Sequence, residues 1–361
     1  MAESPFYDPE RSYSENYAEG PFGTFANNDV ISSSSTAPAY SFCDIAVNLP
    51  FGIPAGPLVN GRFVKAALDK GFDLPVYKTV RTRAYASHPW PNVLAVHPGT
   101  DLQPGERLLA DHHYTDPVCI TNSFGVPSMS PDVWQPDLAD AVRHERAGQC
   151  VVASFQGTLP DDHFAPAFIA DFATAARLVR ETGARLAEVN LSCPNEGTAA
   201  LLCFDVERSR QVCEAIRQEL GDIPLLVKLA YFRDEDMLRR FVRELRGVVS
   251  GISTINTISA EIVDSAGAQA LPGEGRRSSG VCGACIRWAG LKMVRRLVRL
   301  REEYDATFAI NGVGGVTVAE DYTLYREAGA DAVMSATGAM WHPYLARDVR
   351  QLAADRKERV A

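Results

Sequence analysis

The sequence contains no run approaching the roughly 18 apolar residues of a membrane span, and its first residues carry neither the basic stretch nor the apolar core of a secretory leader. Residues 1–40 are rich in Ser, Tyr, Asn and Pro instead. Basic residues are in deficit, 36 Lys and Arg against 45 Asp and Glu in 361 residues, and the net charge of -9 removes the electrostatic case for nucleic-acid binding. Histidine is scarce: the 7 residues include a His112-His113 pair but no H-x-x-x-H spacing, and that pair with its neighbouring acids reads as an exposed loop. The 8 cysteines are scattered instead of spaced as a disulfide framework, which favours reduced thiols and a soluble, cytoplasmic protein. One C-x-x-C occurs, Cys282 to Cys285, without the second pair that a zinc or iron–sulfur site would need, so it reads as small residues at a close backbone approach. No histidine lies near Cys193 in sequence, so no acyl-transfer triad stands out.

What is present is alternation. After residue 40, short apolar segments near 51–55, 74–80, 150–155, 186–191, 223–229, 250–256, 307–311 and 331–335 are separated, mostly, by amphipathic stretches at 62–71, 131–147, 165–183, 205–219, 234–247, 288–304, 317–328 and 343–356. Asp132 and Asp137 read as early-turn or capping acids, Gly183 and Gly329 as helix stops. Eight strands interleaved with helices predict an α/β fold, a (β/α)8 TIM barrel over 41–361. An open doubly wound sheet is the alternative, but no G-x-G-x-x-G opens a first strand–helix turn. Residues 1–40 read as a partly irregular N-terminal arm, packed on the body or a partner through Tyr7, Tyr13, Tyr17 and Phe22, or else as a disordered leader.

In such a barrel the chemistry gathers at the C-terminal ends of the strands. Polar residues sit there: Lys78, Asn190 with Cys193, Lys228, Asn256-Thr257, Gly312 with Gly314-Gly315, and Ser335 to Gly338. A lysine in an apolar run is costly to desolvate unless paired; one alone can be snorkelling, whereas two at matching strand ends point to an anionic ligand. Glycine-rich backbone after strands 7 and 8 is the usual phosphate cradle of a barrel, here Gly314-Gly315 and Ala336-Thr337, so a phosphorylated cofactor across the barrel mouth is expected. The densest stretch is V-N-L-S-C-P-N, Val189 to Asn195, which sets two amides beside a thiol that can carry a proton. Taken alone it reads equally as a buried cysteine with turn-forming asparagines.

V-N-L-S-C-P-N, Y-K-T, T-N-S-F-G-V-P, V-K-L, I-N-T-I, N-G-V-G-G and S-A-T-G together resemble motifs of the dihydroorotate dehydrogenases, over roughly residues 43–345. The likeness is to the soluble class with a catalytic cysteine (class 1, family A-like). The resemblance implies a (β/α)8 barrel holding FMN and oxidising dihydroorotate to orotate in pyrimidine (UMP) synthesis. By position, Cys193 matches the base that removes the C5 proton while hydride passes from C6 to flavin N5. Lys78, Asn122, Asn190, Asn195, Asn256 and Thr257 match side chains that hold the pyrimidine, and Phe124, Gly125 and Val126 the backbone that holds its carboxylate. Ala55, Gly56, Lys78, Asn190 and Lys228 match flavin contacts. Gly283, Gly314, Gly315, Ala336 and Thr337 match those to the phosphate and ribityl chain.

The chain departs from that pattern in its first 40 residues, in longer loops at 94–118 and 260–277, in Val281-Cys282-Gly283 where paired glycines are usual, and in Asn92 where many members carry arginine. The expected activity is therefore FMN-dependent dihydroorotate oxidation by a cytoplasmic homodimer, with fumarate as acceptor, no metal and no membrane partner. The alternatives are a flavin oxidoreductase of another cyclic imide, such as a dihydropyrimidine, or a flavin-binding barrel without turnover.

Overall fold

The computed structural model describes residues 4–31, 38–99, 101–158, 165–192 and 201–360. Eight parallel strands close into a barrel in sequential order: β1 (Phe51–Ile53), β2 (Leu74–Val80), β3 (Val152–Phe155), β4 (Leu186–Asn190), β5 (Leu225–Leu229), β6 (Gly251–Thr254), β7 (Ala309–Val313) and β8 (Ala332–Met334). Nearly every strand residue is buried, because helices cover one side and the barrel interior the other. That two-sided burial is why the strands read as continuous apolar runs and not as alternating ones.

The helices take their places for local reasons. Helix Gly61–Asp69 starts where the Asn60 side chain accepts from the N–H groups of Arg62 and Phe63, and it buries Phe63, Val64, Ala67 and Leu68. Helix Glu235–Leu245 is capped by Asp234 and turns Leu238, Phe241, Val242 and Leu245 inward. Gly183 (φ 84°) and Gly329 (φ 100°) follow helices Ala165–Glu181 and Ala319–Glu327, as expected of helix stops. Asp132 lies in the first turn of helix Pro131–Arg143, but Asp137 does not cap its own helix. It sits mid-helix and its carboxylate accepts from the Gly61 N–H at 2.6 Å and the Tyr77 hydroxyl at 2.7 Å, tying two helices to β2.

At Gly52 in β1, an added Cβ would stand 1.9 Å from the Leu74 carbonyl oxygen, so β1 and β2 close only because no side chain is there. Gly52→Ala is expected to destabilise by about 3 kcal/mol, read as a lower urea midpoint at unchanged slope.

The stretches 94–118 and 260–277, read from the sequence as longer loops, carry strand segments at 94–96, 107–111 and 260–263 between their loops. Strands Val93–Val96, Arg107–Asp111 and Cys119–Asn122, all following β2, join Ile258–Val263 and Ser278–Gly283, which follow β6, in a second closed sheet of five strands. Both excursions leave the C-terminal ends of barrel strands, so this sheet stands over the barrel mouth. The N-terminal residues reach the same region. Phe6 stacks on Phe25 at 4.2 Å, a capping box at Ser12 and Glu15 starts helix Tyr13–Glu19, and Tyr7 and Tyr13 are buried. Among the described residues, no helix is long and apolar enough to cross a membrane.

Candidate active site

A cavity of about 1310 Å³, open mouth included, lies between the C-terminal ends of the barrel strands and the five-stranded sheet. The strand ends supply most of its wall. Ala55 and Gly56 follow β1, Lys78 lies in β2, Asn190 ends β4, Lys228 lies in β5, and Asn256 and Thr257 follow β6. Gly314 and Gly315 come from the turn after β7, Ala336 and Thr337 from the turn after β8. The sheet adds Asn122 and Gly283, and the chain beyond Asn122 adds Phe124, Gly125 and Val126. All of these were singled out from sequence and the fold brings them to one cavity. Cys193 and Asn195 lie outside the described residues.

Hydrogen bonds fix several of these groups. Asn190 Nδ2 donates to Gln156 Oε1 at 2.8 Å, while its Oδ1 accepts from the Ser192 N–H at 3.2 Å and hydroxyl at 3.1 Å. Asn256 Nδ2 donates to the Ser192 carbonyl at 3.2 Å, so the loop after β4 is tied to the end of β6 immediately before Cys193. Gly125 (φ 75°) and Val126 (φ 52°) both adopt left-handed backbone, strained for a β-branched residue. The buried Arg81 guanidinium holds that turn, donating to the carbonyls of Gly125 (3.3 Å) and Val126 (3.0 Å). Nothing in the sequence marked Arg81, since the carbonyls that it holds at Gly125 and Val126 are more than 40 residues away.

Charge in the site is positive and held in a dry setting. Lys228 is 4% exposed, and its ammonium donates to the Ala55 carbonyl at 3.3 Å. Burial pushes its pKa below the ordinary lysine value, and the Glu188 carboxylate on the neighbouring β4 opposes that shift. Glu188 is fully buried, and neither carboxylate oxygen is hydrogen-bonded among the described residues. Lys78, 7% exposed, donates to the Thr79 carbonyl at 3.4 Å. Cys282, read from sequence as filler at a close approach, faces the cavity. Its sulfur accepts from Asn122 Nδ2 at 3.5 Å and from the Thr337 hydroxyl at 3.4 Å, and burial pushes its thiol up to about 11. Tyr7 and Tyr13 also line the cavity, their rings set against Phe124 at 5.7 and 6.0 Å. Among the described residues no group of three or more His, Cys, Asp or Glu side chains is placed to hold a metal ion.

Two lysines, three amides and glycine turns around one deep cavity suit an anionic, planar, hydrogen-bonding ligand and a phosphate. The dihydroorotate dehydrogenase family model matches residues 39–352. The chain is 34% identical over 360 residues to a dihydroorotate dehydrogenase of Dictyostelium discoideum, covering 95% of each protein. It is 30% identical over 176 residues to the NAD-dependent dihydropyrimidine dehydrogenase subunit PreA of Escherichia coli, covering 47% of this chain and 42% of that one. The fold is similar to a crystal structure of a dihydroorotate dehydrogenase from Eimeria tenella in complex with ferulenol, with a TM-score of 0.72, 18% identity, and coverage of 93% and 89% of the two chains.

Proposed function

Because this chain belongs to the dihydroorotate dehydrogenase family, oxidoreductases acting on CH–CH bonds, we propose that it oxidises dihydroorotate to orotate in pyrimidine synthesis with FMN as its resident cofactor. The observation that carries this reading is the convergence of two buried lysines, Lys78 and Lys228, with the amides of Asn122, Asn190 and Asn256 in one cavity. An amide presents both donor and acceptor, as the alternating N–H and C=O edges of a pyrimidine require.

The cavity wall fits FMN. At Gly56 (φ 144°) no protein atom lies within 4 Å of where a Cβ would stand, so a flat ring can lie against bare backbone. Gly314 (φ 120°) and Gly315 (φ 71°) turn the chain tightly after β7, and with Ala336, Thr337 and Gly283 they would hold the phosphate and ribityl chain. Lys228 would stand beside the pyrimidine edge of the ring, Ala55 and Gly56 along it. When bound, FMN supplies the acceptor for the hydride leaving C6 of the substrate.

The protein's own groups do the rest. Lys78, Asn122, Asn190, Asn195, Asn256 and Thr257 orient the pyrimidine, and the Arg81-held turn at Phe124, Gly125 and Val126 receives its carboxylate. The Cys193 thiolate takes the C5 proton. Fumarate, a small dicarboxylate suited to the same lysines, is the acceptor in this reading, and the enzyme is a cytoplasmic homodimer of the cysteine-base class. A second reading, oxidation of an uncarboxylated dihydropyrimidine, draws on the partial match to the Escherichia coli dihydropyrimidine dehydrogenase subunit.

Anaerobic mixing of the purified protein with dihydroorotate, followed by visible absorbance, separates the two. Rapid bleaching that fumarate reverses is the expected outcome. Bleaching by dihydrouracil but not dihydroorotate moves the substrate to the uncarboxylated ring. A protein that neither contains nor takes up FMN overturns the proposal.

A further inference from the structure

The Cys282-x-x-Cys285 spacing gains a third thiol in the fold. Strand Cys119–Asn122 pairs antiparallel with Ser278–Gly283, which sets Cys119 opposite Gly283. Beyond Gly283 the chain turns through a 3-10 turn, Ala284–Ile286, into helix Arg287–Glu303. The Cys119 sulfur therefore meets the first N–H groups of that turn. The Cys285 N–H donates to Cys119 Sγ at 3.3 Å, which makes the two cysteines neighbours across the strand–turn junction.

Both cysteines are free thiols, 8% and 5% exposed. The neighbouring Cys285 thiol, helped by backbone N–H groups and by the charge of His97 and opposed by burial, lowers Cys119 to about 7, and the same proximity pushes Cys285 up. Elsewhere burial dominates: it pushes Cys150 and Cys203 up to about 12. One thiol poised as a thiolate beside a second that keeps its proton is the arrangement of an attacking and a resolving cysteine.

We propose that Cys119 and Cys285 form a reversible redox pair, a thiol modification site that closes to a disulfide in the presence of a hydroperoxide. The Cys119 thiolate attacks one oxygen of hydrogen peroxide; an S–O bond forms, the O–O bond breaks, and hydroxide leaves and is protonated to water. The Cys285 sulfur then attacks the resulting sulfenic acid; an S–S bond forms, the S–O bond breaks, and the thiol proton leaves with the oxygen as a second water. Two thiols lose two electrons and one peroxide becomes two waters, and a dithiol reverses the change. The bond ties strand Cys119–Asn122, which carries Asn122, to the turn immediately after the strand that carries Cys282 and Gly283 into the cavity.

The test uses the FMN-loaded Cys193→Ala protein, so that the loop thiol does not compete, with equimolar hydrogen peroxide, thiol titration and peptide mapping. The expected result is loss of two thiols, a protein two hydrogens lighter, and one linked peptide pair containing Cys119 and Cys285, all restored by dithiothreitol. The rate of loss rises with pH through about 7, where Cys119 ionises. Cys285→Ser abolishes the link. A link between any other pair, Cys119 and Cys285 recovered reduced while other thiols are consumed, or a two-thiol loss that persists in Cys285→Ser overturns the proposal. The mapping is decisive without the serine variant, should that variant fail to fold.

Discussion

Cys193→Ala is expected to lower dihydroorotate oxidation by about 10²–10⁴-fold, the usual worth of a positioned general base, while FMN content and orotate affinity stay close to those of the unmodified protein. The cavity limits which groups could replace the thiolate. Lys78 and Lys228 are cations in their ordinary state, and the amides neither take nor give protons at neutral pH. Among the described residues Cys282 is the thiol on the wall, but burial pushes it up to about 11, so it holds its proton through the neutral range. A thiol must ionise before it can take a proton, so turnover should rise with pH as Cys193 becomes a thiolate. Cys193→Ser moves the rising limb far to the alkaline side, because an alcohol ionises much less readily than a thiol. Turnover that survives in the alanine variant, with its rising limb shifted to near 11, would assign the base to Cys282 and sink the role of Cys193.

The barrel was legible because its strands are buried on both faces and so leave unbroken apolar runs, while its helices leave stripes such as Leu238, Phe241, Val242 and Leu245. The second sheet was not. Its strands pair across long separations: Gly280 lies opposite Asn122, and Glu261 opposite Arg107. Local pattern does not announce such a pairing. The same distance hid chemistry. Lys78, Asn190 and Lys228 stood out as polar breaks in apolar runs, whereas Arg81 carried no signal and Asp137 read as an early-turn or capping acid until their partners at Val126 and Gly61 came into reach. Cys285 was weighed only against Cys282, its neighbour in sequence, and its actual partner, Cys119, is 166 residues away.

Lys228→Met should slow reduction of the bound flavin by dihydroorotate about 10²–10³-fold, the range for removing one preorganised charge-stabilising donor, and weaken FMN retention, with the fold intact. Methionine keeps the length of the stem and removes the charge, so the packing between β4 and β6 changes little. The wild-type pH profile gives an independent reading of the same group. Burial lowers the pKa of Lys228, so its ammonium is charged below that depressed value and is lost as pH climbs through it, earlier than for a lysine in water. Glu188, buried on the adjacent strand, limits the shift but does not reverse it. Activity should therefore rise as Cys193 ionises and fall again once Lys228 discharges, giving a bell whose alkaline limb lies below the ordinary lysine range. Lys228→Met has no charge left to lose, so its residual activity should climb to an alkaline plateau. An unchanged reduction rate, or an alkaline limb that persists in Lys228→Met, would remove Lys228 from the reaction and return it to the structure of the barrel interior.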